Sequence, residues 1–411
     1  MSLATRTTAP EALDKFSVFA SCVFATCVSL GAAMVSLSKI FILIAVIWRL
    51  IFEVRCASFK RQPQSTWTIL AVFLSLTWMF ISFAWTEAPS GEAVTAMLRH
   101  SRLMWLIAVF YLLQTSKQGL AVLKFVVVGQ FFVVICSWLM WLGVYIPWAK
   151  KDFPPEMGIL FTSTLEQPVM SSLMLLLLWF FRDQWPVTWH RVWLWAAMSL
   201  TLLNVLFIMT GRTGFLVILL LIATAAFWEL PKRYRWGVVA LPFLLGATLL
   251  ALSPRFQSKM MEIKRDVALY QNGNFDTSQG QRLDYWHRSI IAVIEKPIIG
   301  HGVGSWKTNY LRLGGLQNDP PSNPHQQYLL WLVEAGAIGL ALFISIFIAL
   351  YKDALNLSEM ASRALISTII IAAFMGLMNC PFFGVGMGEY FMAIIGSLLI
   401  IKNTADTRML N

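Results

Sequence analysis

The chain has 411 residues, 58% of them hydrophobic and 13% charged, with a formal net charge of +11. A soluble domain carries roughly 45–50% apolar and about 25% charged residues. Apolar runs recur along the whole length, which excludes a soluble enzyme with one anchor and makes the chain a polytopic helical membrane protein. A spanning helix needs about 20 apolar residues, because the hydrocarbon core is about 30 Å thick. Backbone groups in lipid must be satisfied within the segment, which selects helices.

Hydropathy predicts one transmembrane domain over 1–411 with about twelve spans. They fall near 16–34, 37–52, 67–85, 100–115, 119–143, 168–182, 189–210, 212–229, 235–252, 325–351, 362–379 and 382–401. The run after Lys15 lacks a convincing cleavage site, so it reads as a retained first helix rather than a signal peptide. Cysteines at 22, 27, 56, 136 and 380 form no CxxC pair, and neither a disulfide framework nor a zinc site is supported.

The basic residues set the orientation. With the N-terminus inside, the cytoplasmic loops hold Arg49, Arg55, Lys60, Arg61, Lys117, Arg182, Arg191, Lys232, Arg233, Arg235, Lys352 and Arg363, and the tail holds Lys402 and Arg408. The positive-inside rule then places both termini in the cytoplasm and accounts for much of the charge without a nucleic-acid partner.

This topology puts segment 253–324 on the outer side. A loop of that length is usually functional or disordered, and two stretches in it carry helical periodicity. Phe256, Met260, Ile263, Val267 and Tyr270 form one; Leu283, Trp286, Ile290 and Ile294 form the other. They predict two amphipathic helices that lie on the membrane face or cap the bundle, joined by the turn-rich "QNGNFDTSQGQ".

Three stretches could carry chemistry. In "TGRTGF", Arg212 falls in a tight outer turn at the start of a span. There the free N–H groups and the positive end of the helix would add to its charge; the alternative is a side chain that snorkels to headgroups. In "QGQRLDYWHRS", Arg288 lies about 140° from Leu283 at 100° per residue, so it points away from the apolar stripe, towards a cavity or towards water. The following "GHGVGS" has no strand before it and no GK[ST] after it, and reads as a flexible connector. In "SNPHQQYLLWLVEAGAIG", Pro324 suits a first helical turn and His325 would lie in that turn. The helix dipole would then favour neutral imidazole, the form a general base requires; the alternative is a capping histidine bonded to its own loop. Arg99 and Arg102 begin the fourth span from the outside, Glu166 and Gln167 lie at the same level, and Arg265 adds charge in the loop. Among these, Arg99, Arg102, Arg265 and Gln167 are candidates for further substrate contacts. There is no DxD, HExxH or Walker A sequence. Arginines with one histidine suggest work on a phosphate-bearing substrate with neither a metal nor a cofactor.

The many spans, the large outer loop before the last three helices, "GRTGF" opening a span and "NPHQQYLLWLVEAGAIGL" closing the loop resemble the bacterial O-antigen ligases. That family belongs with the O-antigen polymerases and pilin glycosyltransferases. The resemblance implies an all-α, GT-C-like fold with a periplasmic loop, in the bacterial inner membrane. It implies a glycosyltransferase that moves a polysaccharide from undecaprenyl diphosphate to a lipid A–core sugar on the periplasmic face, using neither ATP nor metal. Carried onto this chain, the family's histidine falls on His325 and its arginines on Arg212 and Arg288. His325 would be the catalytic base, and the two arginines would hold the diphosphate. A polymerase, a pilin O-glycosyltransferase and a non-catalytic transporter of lipid-linked oligosaccharide are the alternatives. The transporter would show broken helices and buried mid-span charges, and the sequence displays few.

Overall fold

A computed structural model of the chain describes residues 10–56, 66–184, 188–209, 212–252, 254–275, 277–316 and 320–402. Among these residues the fold is all-helical. In chain order the helices are α1 (Glu11–Cys27), α2 (Ala32–Arg55), α3 (Thr66–Ile81), α4 (Ser90–His100), α5 (Met104–Leu112), α6 (Ser116–Trp141), α7 (Glu166–Phe180) and α8 (Thr188–Leu203). They continue with α9 (Arg212–Glu229), α10 (Leu241–Leu252), α11 (Pro254–Gln271), α12 (Ser278–Glu295), α13 (Ser305–Arg312), α14 (Gln327–Ala354), α15 (Glu359–Met378) and α16 (Met387–Leu398).

Seven helical runs among the described residues are long and apolar enough to cross a membrane: Ala32–Arg55, Thr66–Trp85, Ser90–Leu112, Ser116–Trp141, Arg191–Ile208, Gln327–Ala354 and Glu359–Met378. Shorter apolar helices run over Glu166–Phe180, Thr213–Glu229 and Met387–Leu398. The chain is therefore a polytopic helical membrane protein. The most buried helix is α16, every residue of which is buried, packed against α5 and α6.

Several boundaries differ from the sequence reading. The fourth span starts at Ser90, because α4 runs through a 3-10 turn (Ser101–Leu103) into α5. The polar residues of "SGEAVTAMLRH" hid its first half from hydropathy. Arg99 and Arg102 consequently lie near the middle of this run, not at its outer start. The predicted ninth span is a 3-10 stretch (Lys232–Ala240) followed by the 12-residue α10. Arg49, taken as a loop charge, is buried inside α2. Its guanidinium donates to the Leu112 carbonyl at 3.1 Å and pairs with Glu53 and Asp14, so it ties α2 to α1 and α5.

The segment between α10 and α14 holds both expected amphipathic helices, α11 and α12, and an unexpected third, α13. On α12 the face turned into the protein carries Gly280, Asp284, Tyr285, Ser289 and Ala292, whereas Ile290 and Ile294 of the apolar stripe are exposed. Ile290 and Ile294 thus point away from the bundle while Trp286 of the same stripe packs against the core, and Arg288 is part-buried on the protein side.

"GHGVGS" is not a flexible connector. Residues 300–306 are buried, and they sit at a break in α14. Gly336 has φ 66° and ψ −167°, a combination open in practice only to glycine. A Cβ there would lie 2.2 Å from the Ile298 carbonyl oxygen. The break strips four backbone groups of helical partners, and the incoming segment replaces them. His301 N–H donates to the Val333 carbonyl (2.8 Å) and Gly302 N–H to that of Glu334 (2.9 Å). Ala337 and Ile338 N–H donate to Pro297 and Ile298 carbonyls at 2.8 and 3.3 Å. Non-helical backbone at this depth is tolerated because protein covers it. Beside the break, buried His100 and Glu334 lie 2.7 Å apart.

The same segment is anchored laterally by Glu87, which meets Lys296, His301 Nδ1 and Asn309. Burial alone would raise the Glu87 carboxyl, but the bonds from Lys296, Asn309 and His301 outweigh it and hold it at about 2.

Candidate functional site

His325 precedes its helix. Gln326 is the N-cap of α14, its side-chain oxygen accepting from Leu329 N–H, so His325 is not in the first turn and Pro324 does not open the helix. His325 is the one described non-glycine residue with positive φ, at 51°. Histidine is among the residues that tolerate this region, and its N–H donates to Asn323 Oδ1 at 2.9 Å. The imidazole stacks on Tyr285 of α12, with centroids 6.1 Å apart and planes 27° apart. Trp286 Nε1 holds the preceding Pro324 carbonyl at 3.1 Å. The ring's Nδ1 lies 2.9 Å from Asn379 Oδ1. An amide oxygen only accepts, so this contact fits the tautomer with the proton on Nδ1 and the lone pair on Nε2. Burial holds the imidazole below its ordinary value; the Asn379 bond opposes this, and the Arg282 charge reinforces it. Burial and a neighbouring cation, rather than a helix dipole, are what favour the neutral ring here.

Arg288 lies six residues beyond Arg282 on α12. Its Nε donates to both Asp284 oxygens, at 2.9 and 3.0 Å, and its Nη1 donates to the Leu313 carbonyl. Asp284 is buried and also accepts from Tyr310 O–H at 2.8 Å. Burial pushes the Tyr310 phenol up, so it remains a donor. The guanidinium is thus held at both Nε and Nη1 and is only about one-fifth exposed.

A second group of charges lies across the 379–386 turn. Arg102 donates to the Phe383 carbonyl and pairs with Glu389 at 3.2 Å; Lys39 pairs with the same Glu389 oxygen. The other oxygen of Glu389 accepts from Gly386 N–H at 2.9 Å. The Arg99 guanidinium lies 5.0 Å from the Phe383 ring centre. The turn therefore links the two groups: Asn379 touches His325 at one end, Phe383 touches Arg99 and Arg102, and Gly386 touches Glu389 at the other.

Arg212 opens α9, as expected, but its side chain lies outside the described residues. The backbone places that helix start. Trp228, near the other end of α9, donates to Ser367 Oγ and packs under Arg363 on α15. Both helices rise about 1.5 Å per residue, so the Arg212 end of α9 and the Asn379 end of α15 come to similar height. Close approaches agree: a Cβ at Gly214 would lie 2.8 Å from Pro168 of α7, and one at Gly384 would lie 3.0 Å from Glu166 Oε1. The starts of α7 and α9 and the 379–386 turn thus share one end of the bundle. Gln167 is buried there, but its amide is occupied: Nε2 donates to the Gly158 carbonyl (2.7 Å) and Oε1 accepts from Leu160 N–H (2.9 Å). It holds the 158–160 loop. Arg265 is exposed on α11, which packs on α12.

Sequence reading missed Asn379, Arg282, Asp284, Lys39 and Glu389. Arg282 lies in "QGQRLDYWHRS" six residues before Arg288, with nothing local to set it apart from the other cations of segment 253–324. The signal for Asn379 was "MNCPFFGVGMGE", a polar and glycine-rich interruption read as a tight turn between spans. Lys39 and Glu389 sat inside apolar windows, where one charge hardly lowers the mean.

Residues 196–344 match the family model described as O-antigen ligase. This stretch contains Arg212, Arg288 and His325. An uncharacterized protein of Haemophilus influenzae is 31% identical over 132 residues, covering 28% of this chain and 31% of that one. A Rickettsia conorii protein named "Putative polysaccharide ligase" is 32% identical over 97 residues, covering 21% of this chain and 23% of its own. The chain thus spans less than a third of the length of these curated relatives. The O-antigen ligase resemblance read from the sequence is matched by the family's own model across residues 196–344.

Proposed function

We propose that the protein is an O-antigen ligase, a metal-independent, inverting glycosyltransferase of lipopolysaccharide biosynthesis. It transfers a polysaccharide from undecaprenyl diphosphate to a sugar hydroxyl of lipid A–core. In this reading about twelve spans form a GT-C-like domain in the inner membrane, both termini are cytoplasmic, and segment 253–324 roofs a periplasmic site. The observation that carries the reading is His325, half-buried, with Nδ1 on Asn379 Oδ1 and with burial and the Arg282 charge on α12 both favouring the neutral ring.

The chemistry follows from those atoms. The acceptor hydroxyl gives its proton to His325 Nε2 while its oxygen bonds to the anomeric carbon. The bond from that carbon to the diphosphate oxygen breaks, and its electron pair leaves on undecaprenyl diphosphate. Direct displacement inverts the centre. Arg212 and Arg288 bind the leaving group; an arginine fork stays charged and matches phosphate oxygens in pairs, so it stabilises charge as it develops. Arg99, Arg102 and Arg265 would contribute longer-range attraction. The donor's lipid tail enters laterally between helices.

The transport reading has gained the broken α14 and its buried charges. That break, however, is sealed by four backbone bonds to the 297–302 segment, and Glu334 beside it is paired with His100. Reconstitution with labelled undecaprenyl-diphosphate glycan decides between the readings. Label should pass to lipid A–core; passage instead to a second lipid-linked glycan or to pilin would identify a polymerase or a pilin transferase. Movement across the bilayer with no transfer would identify a transporter.

A further inference from the structure

We propose that Asn379 is a positioning residue that locks His325 in the tautomer leaving Nε2 able to take a proton. The inference rests on the reading of His325 as the base. Asn379 is fixed at three points. Just past the end of α15 its backbone is extended (φ −161°, ψ −176°); its N–H donates to the Met375 carbonyl at 2.8 Å, and its carbonyl accepts from Gln327 N–H at 3.2 Å. The third point is its side-chain oxygen on His325 Nδ1, at 2.9 Å. One residue therefore ties α15 to the start of α14 and sets the imidazole between them. Tyr285 closes the ring's face, and the Asn323 bond holds its backbone.

An amide at this place does something a carboxylate would not. Both fix the tautomer by accepting from Nδ1–H. A carboxylate would also stabilise imidazolium and raise the pKa, and it would set a negative charge near a departing diphosphate. Asn379 orients the ring without either effect. The other groups facing His325 are consistent with a neutral base. Arg282 and Tyr285 come from α12, where Arg288 is already paired with Asp284. Cys380 follows Asn379, and burial keeps its thiol protonated against the His325 and Gln326 backbone.

The test uses the full-length protein in detergent. Side-chain ¹⁵N spectra of labelled histidine at pH 8, with His325 assigned by its loss in His325→Gln, should show the proton on Nδ1. In Asn379→Leu that preference should disappear, and kcat should fall roughly tenfold to a hundredfold, short of the ~10²–10⁴ attributable to a base itself, with the donor KM unchanged. Asn379→Asp should retain transfer but move the acid limb of the pH–rate profile upwards by about one unit or more, a change that a merely structural residue would not produce. A proton on Nε2 in the native protein, or a pH profile in Asn379→Asp that superimposes on the native one, overturns the proposal even if Asn379→Leu fails to fold. Full transfer by His325→Gln removes the base reading and with it Asn379's catalytic purpose, and is seen separately from the tautomer.

Discussion

Two groups of cations flank the 379–386 turn, and they differ in where their partners come from. On one side Arg282 and Arg288 stand on α12, the helix whose Tyr285 stacks on His325; Arg288 is held through Nε on Asp284 and Nη1 on the Leu313 carbonyl. On the other, Lys39 and Arg102 converge on Glu389, which is 0% exposed and uses both oxygens. Residue type alone does not distinguish the groups. Pairing does: Lys39 and Arg102 share a carboxylate on another helix and so tie helices together, whereas Arg288 pairs with Asp284 within α12.

The largest way to break this contrast is at Glu389. Glu389→Gln leaves two cations without their carboxylate. Breaking a buried pair costs about 3–5 kcal/mol, so thermal unfolding in detergent should show a large loss of stability. A fully stable variant would place Glu389 outside the structural group. Arg288→Lys keeps charge but loses the planar fork. Hydrogen bonds to charged groups contribute about 1.5–3 kcal/mol each, so donor affinity should fall tenfold or more, and the midpoint of unfolding should fall as well, because the bonds to Asp284 and the Leu313 carbonyl are disturbed, but by less than in Glu389→Gln. Unchanged donor binding would remove Arg288 from the ligand-facing group. Gln167→Leu should act on stability alone: it frees the backbone of the 158–160 loop, costing about 1–3 kcal/mol, with donor KM preserved in the folded fraction.

The smallest effects are those of pH. His325 has a folded pKa below 6.5, so the folded state binds its proton less readily and the base stays neutral somewhat below that value. The acid limb of kcat/KM should therefore lie below pH 6.5; a limb above it would contradict the buried, Arg282-facing environment. Glu87 is depressed from 4.5 to about 2. Its stabilising contribution is complete above the unfolded value and is lost as pH falls through 4.5 towards 2. Because Glu87 is one-third exposed, solvent screens much of the effect. Protection factors of residues 297–312, corrected for the intrinsic pH dependence of amide exchange, should fall modestly between pH 5 and pH 3.

The sequence disclosed what a local period can carry. Helices α11 and α12 follow from apolar spacing, and the angle of Arg288 follows from its distance to Leu283. Long-range partners were not legible. Nothing near Gly336 announces that residues 297–302 enter its broken helix. Nothing near His325 names Asn379, which lies 54 positions on in sequence. Arg102 was legible as a cation but not as the partner of Glu389, because that pairing exists only once α16 is packed inside the bundle.

The central claim is that His325 accepts the acceptor's proton at a site that holds a lipid-linked diphosphate. It is tested most directly by single-turnover transfer from labelled undecaprenyl-diphosphate glycan to lipid A–core, with donor binding measured separately in native protein and His325→Gln. The account predicts unchanged donor binding and a rate reduced by roughly 10²–10⁴. Native transfer rates in His325→Gln, or loss of donor binding without a slower chemical step, would contradict it.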